Sequence, residues 1–270
     1  MSAKLLNSYA STGTYLAYFI KNFMVSTVGW GLAQTIEDTA VTKDYVLSSE
    51  YSTTTSSGTT VTGTFCVRLS GTPDTLGLYG YDDCAVTVSG TTYSGEIHDF
   101  SYSEIKCPEN EFQYWAIADS DCLKIVLESE DSAGYYHGYI GLIDSVYAGE
   151  NDPIPLAVFG TSTNTSGWVD DSSVVMRAVS GTVYSYSTWL TYSAEYGDSA
   201  RTAKLGGIRP ILYLKSPSSQ QEVRGFPKGV FKIPDSAGGA GRPYTVDSGT
   251  YYSFSLVGIQ QTSYMYGPVY

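Results

Sequence analysis

The spacing of hydrophobic positions changes once along this chain, at Trp30. Before it, Leu16, Phe19, Ile20 and Phe23 recur at i, i+3, i+4 and i+7, which predicts a helix with those four residues on one buried face. Ser11 or Thr12 stands where an N-cap is needed, and Gly29 lies just beyond the predicted end. After Trp30 the pattern becomes short β-rich runs separated by Gly, Ser, Asp and Pro. DYVLSSEY (44–51) and GTFCVRLSG (63–71) predict two strands, with STTTSSGTTVT between them as a flexible hairpin tip. LGLYGYDD (76–83) and AVTVSGTTYSG (85–95) continue the series.

The run FQYWAIADSDCLKIVLES (112–129) is apolar on both sides of a short polar break. It predicts strands over 112–118 and 122–128, joined by a turn at Asp119-Ser120-Asp121, because Asp and Ser side chains bond to nearby backbone groups. Apolar residues in consecutive positions on both arms predict a central hairpin covered on both faces. YYHGYIGLI (135–143) adds a further strand, and ENDPIPLAVFG (150–160) reads as a Pro-bounded loop. Residues 161–203 are rich in Ser, Thr and Tyr and read as long loops with short strands. IRPILYLKS (208–216), FPKGVFKIP (226–234) and TYYSFSLVG (250–258) return to strands, and no fixed-period repeat is apparent. The predicted fold is mainly β: an antiparallel sandwich or barrel-like meander with an N-terminal α-helix packed on it. Its two parts are 1–160, helix plus meander, and 161–270, a loop-rich β region that can belong to the same domain.

Composition alters this picture in its polar part. Only 16% of the 270 residues are charged, whereas 25 are Tyr, and Ser, Thr and Gly fill much of the remainder. Hydroxyls and tyrosines suit strands and broad contact surfaces, where rigid aromatic area is buried at low entropic cost. The net charge of −12, without a long basic run, argues against direct nucleic-acid binding, which needs clustered Lys and Arg. Four cysteines, Cys66, Cys84, Cys107 and Cys122, contain no C-x-x-C pair, so the expectation is free, mostly buried thiols rather than zinc ligands or disulfides. The apolar stretch 15–24 is interrupted by Lys21 and Asn22, is followed by no signal cleavage site, and is too short to span a bilayer. Folding in a cytoplasm, without a membrane partner, is the expectation.

Candidate chemistry is sparse. Only His98 and His137 can serve as a histidine base, and no G-x-S-x-G elbow is present. His137, in YYHGY, reads as a packed sheet histidine, and His98 beside Asp99 as a loop pair. Asp82–Asp83, Asp119/Asp121 and Asp170–Asp171 offer carboxylates for glycosidic cleavage, yet each lies among turn residues. Asp119-x-Asp121 lacks the ligand series of a calcium loop, and GGAG (238–241) neither follows a clear strand nor opens a helix. The expectation is a non-enzyme with no cofactor and no metal.

Several stretches together resemble a widespread family of tailed-bacteriophage virion structural proteins. They are the helix with VSTVGWGL and DYVLSS, the hairpin YWAIADSDCLKIVLES, YYHGYIGLI, PIPLAVFG, and the late GVFKIP and YTVDSGTYYSFSLV. The resemblance implies a β-rich neck, collar or tail component in the virion, a homo-oligomeric ring or multiple copies contacting other virion proteins. It carries over no active-site residues. Tyr9, Tyr15 and Tyr18, read as belonging to the N-terminal helix, and Trp168 and Trp189 in the loop-rich region are the interface candidates. The alternative expectation is a glycan- or receptor-binding adhesin module, with the same two tryptophans stacking on sugar rings.

Overall fold

Strand β1 (Lys4–Ala10) precedes the helix, where the hydrophobic pattern predicted nothing. It runs antiparallel to β9 (Phe112–Ala118), from Lys4 opposite Ala118 to Ala10 opposite Phe112. The computed structural model describes residues 3–54, 58–81, 86–88, 91–93, 101–129, 134–145, 154–160, 173–177, 183–191, 211–215, 221–233, 241–246, 249–255 and 263–269.

Helix α1 (Gly13–Phe23) starts where the cap residues predicted: the Tyr15 N–H donates to Thr12 Oγ1 at 3.2 Å. It ends through a π-helical turn, Met24–Val28, closed by Gly29 at φ +97°, whose N–H donates to Met24 O at 2.9 Å. The buried stripe is Gly13, Thr14, Leu16, Ala17, Ile20 and Phe23, so Phe19, expected inside, is outside. The reason is a close backbone approach. A Cβ on Gly71 would stand 2.3 Å from Gly13 O and 2.7 Å from Ala17 Cβ, so the helix meets the sheet along Gly13 and Ala17. Phe19, two residues past Ala17, is turned about 200° away from that line.

The helix packs on a sheet ordered β2 (Gly31–Asp38), β3 (Lys43–Thr54), β4 (Thr60–Gly71), β5 (Thr75–Tyr81) and β8 (Ser101–Lys106), with short β6 (Val86–Val88) paired to β4 and β7 (Thr91–Tyr93) paired to β6. The hairpin tip predicted over 52–62 is shorter, because β3 continues to Thr54 and β4 begins at Thr60. Strands β2 and β8 were not apparent in the sequence.

A second sheet runs from β1 and β9 through β10 (Cys122–Glu128), β11 (Tyr135–Ser145), β12 (Ile154–Gly160), β13 (Ser173–Arg177), β14 (Val183–Thr191) and β15 (Ile211–Lys215) to β16 (Gln221–Pro227). Strand β11 pairs with β12 along one stretch and with β16 at its end, Ile143 opposite Pro227, so the ladder from β11 to β16 returns on itself. The stretch 150–160 is therefore not simply a loop. Pro155 lies in β12 beyond the ladder with β11, which stops at Leu156, and stands opposite Met176 of β13. Strands from both sides of residue 160 share this sheet.

The third sheet is β17 (Val230–Ile233), β20 (Ser263–Val269), β19 (Gly249–Ser255) and β18 (Arg242–Val246). The predicted single strand over 226–234 is instead the end of β16, a turn with Gly229 at φ +63°, and β17.

The architecture is a mainly β, sandwich-like stack with one helix packed on it, as the pattern predicted. The hairpin β9–β10 and strand β11 are buried on both faces. One row, including Tyr114, Ala116, Ile125 and Ile140, joins the core with Leu78 and Ile105 of the first sheet. A Cβ on Gly138 would lie 2.3 Å from Ile105 Cδ1, so the two sheets touch across that glycine. The alternate row carries Trp115, whose ring lies 4.8 Å from Phe254 of the third sheet and 5.7 Å from Tyr135.

Candidate functional site

The packing of α1 leaves an aromatic face in water. Tyr15 is 53% exposed and Tyr18 and Phe19 are each 37% exposed. Tyr15 stacks on Phe19 at 6.3 Å between centroids, and Tyr18 meets Phe19 edge-on at 5.8 Å. The rings are thus held as a group by one another rather than by the core. Tyr9, 55% exposed, lies in β1 opposite Gln113 and not on the helix as the sequence suggested.

This face continues onto the hairpin β2–β3. Thr14 Oγ1 donates to Val41 O at 3.0 Å, fastening the start of the helix to the β2–β3 turn. Lys43 ion-pairs with Asp38 at the end of β2 and also lies 5.6 Å from the Tyr18 ring centre. That hydrogen-bonded ammonium holds the Asp38 carboxyl below its usual pKa. Lys21 sits 4.8 Å from the Tyr18 ring centre and 4.9 Å from that of buried Tyr45. All eight residues of β2 are exposed, among them Leu32 and Ile36, and Val41 in the turn is exposed too. A strand without cover on either face, beside a helix with aromatics outward, is the feature of the described surface that most needs a partner.

The predicted catalytic candidates have structural partners. Asp119 Oδ1 accepts the N–H groups of Asp121 at 2.8 Å and Cys122 at 3.1 Å, so it closes its own turn. Asp121 Oδ2 accepts from Lys228 Nζ at 2.5 Å, tying that turn to the one between β16 and β17. His137 is fully buried on β11, as expected of a sheet histidine. Cys107 and Cys122 are buried free thiols whose pKa burial pushes up to about 12, which leaves them protonated and unreactive near neutral pH. Cys66 is half-buried. Cys84, His98, Trp168 and the pairs Asp82–Asp83 and Asp170–Asp171 lie outside the described residues. Trp189 is in β14 with its backbone opposite Tyr213, and its side chain lies outside the described set.

A cavity of about 500 Å³ opens between the start of β2 and the Asp119–Asp121 turn, lined by Trp30, Ser48, Glu50, Thr64 and Ser120 among others. The Trp30 indole N–H donates to Asp119 O at 2.8 Å, and its ring is edge-on to Phe65. Only 2% of Trp30 is exposed, so it offers no free face for a sugar to stack on. Among the described residues, no group of three or more His, Cys, Asp or Glu side chains is placed to hold a metal. Among the same residues, no helix is long and apolar enough to cross a membrane. No family model matches the chain, and no curated protein matches it either.

Sequence reasoning found Tyr15 and Tyr18 but missed Phe19 and β2. Phe19 obeys the helical period, and only the approach of Gly13 to Gly71 shows it facing outward. GLAQTIED has few apolar residues to mark a strand, although Leu32 and Ile36 four apart were a signal available to reading.

Proposed function

We propose that this chain is a non-enzymatic structural protein of a tailed-phage virion, a neck, collar or tail-associated component present in multiple copies. The observation that carries the assembly reading is the exposed aromatic face of α1 continued by the bare strand β2. Subunit interfaces are enriched in Tyr, Trp and Phe, and a free monomer gains nothing from leaving such a surface wet. The placement in a phage particle rests on the ordered sequence resemblance. The non-enzymatic reading draws support from Asp119 and Asp121, engaged in a turn and an ion pair, and from the protonated buried thiols.

The test is location. Mass spectrometry of purified particles, followed by a low-resolution map with an epitope-tagged copy, is expected to find the chain at the neck, collar or tail in more than one copy. Its absence from purified particles would sink this reading, and binding of a defined glycan by the isolated monomer would put the adhesin reading in its place.

A further inference from the structure

We propose that the cavity between the start of β2 and the Asp119–Asp121 turn is a binding site for an organic cation, a ligand presenting a guanidinium or ammonium group. The site goes beyond the assembly reading and does not rest on it.

The cavity exists because β3 outruns its neighbour. The ladder with β2 ends where Gly31 stands opposite Ser48, whereas β3 stays paired with β4 as far as Thr54. Val28, Gly29 and Trp30 bound the space that β2 leaves beside Glu50, about 500 Å³ in volume. Ser48 and Glu50 are two apart on β3 and so share one face of the sheet. Thr64 of β4 lies directly opposite Glu50 on that face. A Cβ on Gly31 would stand 2.7 Å from Ser48 Oγ, so glycine at this position leaves the hydroxyl uncovered.

These three side chains are unspent: none of them makes a hydrogen bond or ion pair among the described residues. The other polar groups of the lining are already used. Ser49, on the opposite face, donates to Ser120 O at 2.7 Å, and the Trp30 indole N–H donates to Asp119 O. What remains is a carboxylate, which only accepts when ionised, beside two hydroxyls whose lone pairs can turn to the same ligand.

That set selects the ligand. No Lys, Arg or His is among the described lining residues and the chain carries −12, so an anion is repelled. One carboxylate and two hydroxyls fall short of the roughly six to eight oxygens that a calcium ion takes. A sugar finds no ring to stack on, because Trp30 is buried edge-on against Phe65. A guanidinium can set two N–H groups on the Glu50 carboxylate and others on Ser48 and Thr64, and an ammonium can divide its donors among the same three. The volume is that of an ordinary small-ligand pocket, with room for the carbon stem behind the charge.

The test is calorimetric titration of the purified full chain with agmatine and with spermidine, and dissociation constants of about 0.1–1 mM are expected. Malonate and glucose are the anionic and neutral controls and should give no heat. Glu50→Gln should weaken binding roughly tenfold or more, and Thr64→Val by about threefold to tenfold. Glu50 is exposed, so the melting temperature of its variant should match that of the wild type. Glu111→Gln removes the same charge from an exposed position outside the cavity and should leave affinity unchanged. No binding of either cation at about 10 mM overturns the proposal. So does an equal loss in the Glu50 and Glu111 variants, which would reduce the effect to the overall charge, and so does equal binding of the controls. A blocked tripeptide Gly-Arg-Gly separates the sources of the cation. Tighter binding of the peptide than of agmatine assigns the site to a basic side chain of a partner, and the reverse order assigns it to a free small cation.

Discussion

Strands β9 and β2 each pair antiparallel with the strand that follows, and their side chains have opposite fates. Strand β9 buries six of its seven residues, whereas β2 buries none of its eight. The first is sandwiched between the first sheet and the third, so consecutive residues alternate between two covers and apolar side chains are favoured at nearly every position. The second has no cover on either side, although it is an ordered strand with backbone pairing to β3. Backbone hydrogen bonding therefore does not set the side-chain requirement. Burial does, and burial is supplied by what lies above and below the strand.

Substitutions at matched positions test this contrast. Trp115→Ala should have the largest effect, about 3–5 kcal/mol of lost stability, read as a fall in the urea midpoint. The ring is wedged between Phe254 and Tyr135, and a Cβ on Gly241 would be only 3.1 Å from it. An unchanged midpoint would mean that the third sheet does not cover β9.

Alkaline pH probes the same core without mutation. Burial raises Cys107, Cys122 and Tyr114 to about 12 each, so the unfolded chain releases these protons at lower pH than the folded one. Their contribution is complete below the ordinary thiol pKa and is lost as pH rises from about 9 toward about 12, at roughly 1 kcal/mol per pH unit for each thiol. Melting temperature should fall steadily across that window. A flat profile from pH 9 to 11 would show that the thiols reach water.

Gly71→Ala should cost about 1–3 kcal/mol, because the new methyl meets the Gly13 carbonyl and Ala17 and the helix must shift. A melting temperature equal to that of the wild type would remove the close approach that turns Phe19 outward. At the Asp turn, Asp119→Ala should cost about 1 kcal/mol by orphaning two backbone N–H groups, whereas Asp119→Asn keeps the accepting oxygen and should be nearly neutral. Equal losses in both variants would assign the effect to charge instead of the turn. The smallest effect belongs to β2: Ile36→Ala should change monomer stability by less than about 0.5 kcal/mol. A loss of several times that would mean Ile36 has a cover within its own chain.

The sequence by itself determined the features that depend on near neighbours. The Thr12 cap and the glycine stop follow from backbone groups within a few residues, and so does the turn at Asp119–Asp121 between two apolar arms. The double burial of β9–β10 was also legible, because an uninterrupted apolar run has to be covered on both sides wherever the cover comes from. Tertiary structure alone decided the rest. Strand β1 exists because β9, more than a hundred residues later, offers it an edge. Strand β12 forms where a loop was predicted because β11 and β13 flank it on either side. The outward turn of Phe19 requires two glycines, Gly13 and Gly71, to meet. An apolar side chain states only that it gains by leaving water. Which face of the fold, or which other molecule, receives it depends on contacts made far away along the chain.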